Sequence, residues 1–202
     1  MLRRYILPVM LLSLGLALPA QGGLLPVSVS VTPESSKYRF TYAIVLPTDS
    51  QLRAGDYFTI YDFAGYQEGS AVYSPSPELM SSADDWTVVV QNVGSTPDLL
   101  LPGDDPSLPN LTWMYNGPTI TTGQTGLGNF WAVSEYGETT DAPFTARTHR
   151  TSDGKFDSNI TDTTVPVPVP PSPEIPEPTT LALTALGLPL LALRGLRRRL
   201  LS

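Results

Sequence analysis

The chain has 202 residues, with 12 basic and 19 acidic residues, a single histidine and no cysteine. Without cysteine, disulfides, thiol nucleophiles and cysteine-ligated metal centres are excluded, and one histidine cannot build a multi-histidine metal site. All 19 acidic residues lie between positions 21 and 178, where only six basic residues occur, so this region carries a net charge of −13. Nucleic-acid binding requires clustered Lys and Arg, and we do not expect it here.

Residues 1–20 have the pattern of a secretory signal peptide. A basic start is followed by the apolar run 5–18 and by a small-residue exit, which is the order of such signals. Cleavage after Ala20 and cleavage after Gly22 both fit. An uncleaved anchor is the alternative, although the apolar run is short and contains Pro8. Two arginines near the start also suggest twin-arginine export, but the general secretory route is favoured because no cofactor requires folded export.

Residues 24–164 predict an exported all-β domain, either an antiparallel β-sandwich or a jelly-roll-like fold. Apolar and polar residues alternate with period two, and Gly, Pro and Asp separate the alternating segments. Helical periodicity over about twelve residues is missing from this region. We expect about seven or eight short strands, and the clearest are at 26–31, 38–44, 57–63, 86–90, 111–115, 130–136 and 143–148.

The segment 94–110 is too long for an ordinary connection between strands. It contains four prolines, and its length is typical of a functional loop or a mobile insertion. We expect its three leucines to pack onto the edge of the domain, and these are Leu99, Leu100 and Leu101.

Three acidic clusters are candidates for chemical sites. In a strand, the two side chains of an adjacent aspartate pair point to opposite faces and cannot share a proton. The spacing of the three aspartates at 153–162 fits no calcium loop. We therefore favour solvated carboxylates in turns as the interpretation of all three clusters. The clusters are Asp84 with Asp85, Asp104 with Asp105, and Asp153 with Asp157 and Asp162. No catalytic residue, metal site or cofactor is predicted. A secreted hydrolase is the least favoured function, because it needs a cleft that joins His149 to a serine and an aspartate.

Aromatic residues provide the candidates for ligand binding. Trp113 and Tyr115 are two residues apart and should share one strand face, whereas Phe130 and Trp131 are adjacent and should face opposite ways. If exposed, such rings would stack on sugars, which makes a carbohydrate-binding module the alternative function. The candidate stacking residues are Trp113, Tyr115 and Trp131. Packing in the core is the favoured interpretation of these aromatics.

The C-terminal part predicts a stalk at 165–178 and a membrane segment with a basic tail at 179–202. The stalk has seven prolines in fourteen residues, which favours polyproline II. The apolar run 179–193 would form a helix about 22 Å long, shorter than a hydrocarbon core of about 30 Å. It has no polar face, unlike a packed amphipathic helix. A cytoplasmic arginine cluster would leave 21–178 outside, and its members are Arg194, Arg197, Arg198 and Arg199.

The tripeptide Pro176-Glu177-Pro178, followed by the short apolar run and the arginine cluster, resembles the PEP-CTERM sorting signal of exosortase substrates in Gram-negative bacteria. The resemblance covers 174–202 and is paired with the N-terminal signal. Residues 55–65 and 127–133 also resemble strands that recur among such exported proteins. Pro189 interrupts the apolar run and departs from a regular anchor.

The resemblance implies that a membrane-embedded exosortase recognises the tripeptide and removes the tail. We therefore expect a non-enzymatic protein of the cell envelope or extracellular matrix, associated with exopolysaccharide. Its expected partners are exosortase and, through residues 179–196, the inner membrane. A proline tract beside a membrane helix would offer a protease an extended, accessible substrate. A plain single-span anchor that is not processed is the alternative for this end of the chain.

Overall fold

The computed structural model describes residues 22–79, 82–121 and 123–168. The predicted signal peptide, the Pro-Glu-Pro tripeptide and the apolar anchor lie outside the described residues. The described part contains ten strands and one 3-10 turn, Ala83–Asp85, and none of its helices is long and apolar enough to span a bilayer. The strands are β1 Leu25–Glu34, β2 Lys37–Leu46, β3 Ser50–Gln51, β4 Tyr57–Ile60, β5 Val72–Pro75, β6 Trp86–Gln91, β7 Asn110–Tyr115, β8 Thr125–Ser134, β9 Thr139–Arg150 and β10 Phe156–Pro166.

The strands form two sheets in which every pairing is antiparallel. The smaller sheet has the order β1-β2-β8-β5. The larger sheet has the order β10-β9-β4-β7-β6, and the short strand β3 adds to β9. The prediction of an all-β chain with antiparallel sheets is therefore confirmed for the described residues.

Alternating side chains of both sheets meet in one aromatic core. In β2, Phe40, Tyr42 and Ile44 point inward and are 0–1% exposed, as the period of two predicts. Phe58 of β4 lies at the centre. Its ring centroid is 4.9 Å from that of Phe130 in the smaller sheet, so the facing sheets are in direct contact. Two further rings of the larger sheet stack on Phe58, those of Trp113 at 5.3 Å and Phe144 at 5.4 Å.

Strand β10 was not predicted, and it moves the end of the domain from 164 to Pro166. Val165 is 0% exposed and pairs with Thr140 of β9, so the first two residues of the predicted stalk belong to the sheet. Asp157 and Asp162 lie in this strand and not in turns. Two of the four buried residues of β10 are polar, so its sequence shows no apolar alternation.

The segment between β6 and β7 crosses the outer face of the larger sheet. The hydroxyl of Thr59 donates to the carbonyl oxygen of Ser95 at 2.6 Å, and further along the backbone N–H of Asp105 donates to Asp62 at 2.9 Å. The leucines lie between these two attachments. Leu99 is 99% exposed and Leu101 is 93% exposed, whereas Leu100 is partly buried, so the expectation that the leucines pack onto the domain edge was wrong for Leu99 and Leu101.

Candidate functional site

Two of the three candidate sugar-stacking residues are buried in the core. Trp113 is 0% exposed and Tyr115 is 1% exposed. They share one face of β7, as their spacing predicts, but that face is turned towards the smaller sheet, where the Trp113 ring lies 5.9 Å from that of Phe130. A sugar in solvent cannot reach either ring, so both residues are withdrawn as binding candidates.

Trp131 is the candidate that remains at the surface. It lies in β8 on the outer face of the smaller sheet and is partly exposed, while the adjacent Phe130 is 0% exposed, as strand alternation requires. Its cross-strand neighbours are Thr41 of β2 and Val72 of β5. Val72 is 41% exposed. The indole ring therefore lies in the middle of an open sheet face, between two small side chains.

Charged and polar side chains surround the Trp131 ring. The guanidinium carbon of Arg39 lies 5.2 Å from the ring centroid, and Arg39 Nε donates to Glu34 at 2.6 Å. This contact fixes the guanidinium against the ring. Ser74 and Asn129 form a cross-strand pair two residues from Trp131, so they share its face. The surface thus combines an aromatic plane with amide, hydroxyl and guanidinium groups.

A second polar cluster joins His149 of β9 to Asp56, which directly precedes β4. His149 Nδ1 lies 3.0 Å from Asp56 Oδ1 and 3.1 Å from Oδ2. Asp56 is 0% exposed and accepts the backbone N–H of Arg53 at 2.8 Å. Burial raises the pKa of the Asp56 carboxyl, and the hydrogen bonds from Arg53 and His149 act in the opposite direction. The pair links segments that are 93 residues apart in the chain.

Hydrolysis would require a nucleophile beside this histidine. Within the described ranges, no serine or threonine hydroxyl hydrogen-bonds to His149, whose ring packs against Phe156 with 4.5 Å between centroids. The structure thus supplies an aspartate for the histidine but brings no serine to it. Asp56 and His149 act as a cross-link between the start of β4 and the end of β9.

Arg147 completes this cluster. Its guanidinium carbon lies 4.8 Å from the ring centroid of Tyr57 and 4.7 Å from that of Phe156, so the cation is held between two aromatic rings. One terminal nitrogen donates to the carbonyl oxygen of Gly55 at 2.7 Å. Its positive charge also favours the ionised form of Asp56. Sequence reasoning missed this cluster, because the β4–β9 register that builds it is a long-range feature.

The acidic clusters have local structural roles. Asp85 accepts the backbone N–H of Ser82 at 2.7 Å and caps the 3-10 turn, and Asp104 accepts from Asn110 at 2.8 Å. Arg150 forms two hydrogen bonds to Asp153 and lowers the pKa of that carboxyl to about 2. In the described part of the chain, no three His, Cys, Asp or Glu side chains form a group that could hold a metal ion.

The fold and this surface define an all-β protein with antiparallel sheets and a polar-aromatic face on the smaller sheet. No protein-family model matches the chain, and no curated protein matches its sequence. The residues of the predicted sorting signal, Pro176, Glu177 and Pro178, lie outside the described residues, as do Arg194 and the arginines at 197–199.

Proposed function

We propose that this chain is an exported β-sandwich protein of the cell envelope or extracellular matrix, sorted and processed by exosortase. The observation that carries the proposal is the order of its terminal sequences. A basic and apolar signal with a small-residue exit stands at one end, and a Pro-Glu-Pro tripeptide, an apolar run of fifteen residues and an arginine cluster stand at the other. The signal helix and the transmembrane helix belong to this proposal, and the protein itself is non-enzymatic.

The distance between the domain and the tripeptide supports processing. The last strand ends at Pro166, ten residues before Pro176 in the sequence. At about 3.1 Å per residue, an extended proline tract of this length would reach about 31 Å. A membrane protease could then cut near Glu177 without unfolding the β-domain. The apolar run is also about 8 Å shorter than a typical hydrocarbon core, which favours a temporary anchor over a permanent one.

We predict that Glu177→Ala abolishes processing in a host that has exosortase. The wild-type envelope form should lack the arginines at 197–199, whereas the variant should keep the full tail and stay in the inner-membrane fraction. Intact-mass measurement of each fraction distinguishes these products.

Glu174→Ala is the matched control for this experiment, because it removes the same charge from the same proline tract but leaves the tripeptide intact. We expect it to be processed like the wild type. A wild-type envelope form that retains the arginine tail in an exosortase-bearing host would contradict the proposal.

A second candidate function, carbohydrate binding, is favoured by the exposure of Trp131. An indole plane that is flanked by hydroxyl, amide and guanidinium groups fits the apolar face and the hydroxyls of a neutral sugar. A neutral polysaccharide is preferred, because the region 22–168 has six basic and seventeen acidic residues and would repel a polyanion.

We predict that Trp131→Ala weakens polysaccharide binding by roughly thirtyfold, since a tryptophan at the centre of an interface contributes about 2 kcal/mol or more. Trp131→Phe should retain part of the affinity because it keeps an aromatic plane. Val27→Ala, at a 58% exposed position of the same sheet, is the control and should bind normally. Glycan-array and calorimetric titrations measure the effect, and equal binding by Trp131→Ala and wild type would remove this function.

A further inference from the structure

The four sheet edges of the described domain differ in how well they are protected from pairing with another strand. The edge strand β1 has a bulge between Pro26 and Ser28, β5 is only four residues long and ends at Pro75, and β10 carries Asp157 and Asp162. Short strands, prolines, bulges and charges are the usual devices that prevent edge-to-edge association. Three of the four edges therefore have at least one such device.

Strand β6 has none of them. Its sequence, Trp86–Gln91, contains no charge and no proline, and its pairing with β7 runs without a bulge. Val88 is 36% exposed and Val89 is 40% exposed, although they lie on opposite faces of the strand. Along its free edge, the described structure gives the backbone groups of β6 no strand partner. Such a row of N–H and C=O groups is a ready-made template for pairing with another β-strand.

The inner face of β6 is also incompletely covered. A pocket of about 190 Å³ opens between β5 and β6. Its walls include Tyr73, Trp86, Val88 and Trp113. A strand added beside β6 would extend the sheet and shield Val88, which is 36% exposed, from water.

We infer that β6 pairs antiparallel with β6 of a second copy of this chain, so that the larger sheets of two copies become continuous. A two-fold axis perpendicular to the sheet would pass beside Val88 or Val89 and would keep the inner faces of both copies on the same side. Both pockets would then lie on one side of the joined sheet, next to the new interface. The occupant is a second copy because β6 itself supplies an uncharged strand that is rich in β-branched residues and brings no charge to this edge.

The charge distribution supports pairing of a strand with itself. The domain is strongly acidic, yet residues 86–93 carry no charge, so two copies can approach here without direct repulsion. The nearest carboxylates along the chain are Asp84 and Asp85 at the start of the strand, and Asp104 lies near its end, on the β7 side, where it accepts from the partner of Gln91. In either register, antiparallel pairing separates Asp85 from its symmetry mate by roughly 20 Å or more, well beyond a Debye length of about 8 Å.

The absence of native cysteine allows a direct test by single-cysteine cross-linking of the full chain. Directly opposed residues of paired strands have Cβ atoms about 4.5–5.5 Å apart, close to the distance that a disulfide needs. We expect Val88→Cys or Val89→Cys to give a disulfide-linked dimer on oxidation, and the variant that reacts identifies the register. Val27→Cys, exposed on the protected edge β1, is the matched control and should give no disulfide-linked dimer.

Sedimentation of the full chain in detergent gives the second measurement. We expect a dimer whose dissociation constant rises about tenfold or more in Val89→Lys, because the two lysines would then lie directly opposite or diagonally across the new pairing, depending on the register. Circular dichroism verifies that this variant remains folded. A monomeric wild type with no cross-link at position 88 or 89 would overturn the inference. A dimer that Val89→Lys leaves unchanged would also overturn it, since association would then arise elsewhere, for example at the apolar tail.

Discussion

Replacing Trp113 with alanine should lower the free energy of unfolding by about 3–5 kcal/mol, the usual cost of removing a fully buried tryptophan. The side chain is 0% exposed, and its ring stacks on Phe58 at 5.3 Å and meets Phe130 at 5.9 Å. Its removal would leave a cavity where the two sheets touch. Because small domains are typically stable by about 5–15 kcal/mol, this loss is a large part of the total. Chemical denaturation followed by circular dichroism measures it.

Trp131→Ala is the matched control, since it makes the same chemical change at a partly exposed position. We expect it to cost less than about 1 kcal/mol, as is usual for surface substitutions that remove little buried area. If the two variants were equally stable, Trp113 would not be part of the core described above. The comparison also helps to interpret the carbohydrate-binding measurements, because a loss of binding in Trp113→Ala would be caused by unfolding and not by a missing contact to the sugar.

Strands with strict alternation could be predicted from the sequence, and the polar edge strands could not. In β2, every second residue from Phe40 to Leu46 is buried, so the pattern of the sequence and the burial of the strand coincide. In β10, two of the four buried residues are polar, Asn159 and Thr163, and the strand pairs with β9 along its whole length. Backbone hydrogen bonds leave no trace in the side-chain pattern, so β10 was interpreted as a turn and a stalk.

Period-two reasoning placed Trp113 and Tyr115 on one face but could not say which face the core would cover. That choice depends on the opposite sheet, where Phe130 supplies the contact. The adjacency of Phe130 and Trp131 was more informative, because one of two neighbouring residues in a half-buried strand must face outward. The exposed leucines show the same limit, since nothing local in the sequence tells whether a loop apolar residue finds a partner.

Asp56→Ala should destabilise the domain by about 3 kcal/mol. The carboxylate is 0% exposed, accepts the backbone N–H of Arg53 and contacts Nδ1 of His149. Without it, both donors lose their acceptor at a partly buried site, where each unsatisfied donor costs about 1–3 kcal/mol. Denaturation of the variant at neutral pH measures the loss. A cost below about 1 kcal/mol would show that the cluster does not hold the start of β4 against β9.

The pH dependence of stability should separate the charge of Asp56 from its hydrogen bonds, and Asp56→Asn is the variant for this purpose. Burial raises the folded-state pKa of Asp56 above its ordinary value of 3.8, so the folded state binds this proton more tightly than the unfolded state does. The contribution to stability is then fully present below pH 3.8 and is lost as pH rises through the folded-state pKa. The stability of the wild type relative to Asp56→Asn should therefore increase as pH falls from 7 towards 4. Asp141→Asn, at an exposed position of β9, makes the same change in net charge and is the control. If the stability of the wild type relative to Asp141→Asn rose equally as pH falls, the effect would come from net charge and not from the burial of Asp56.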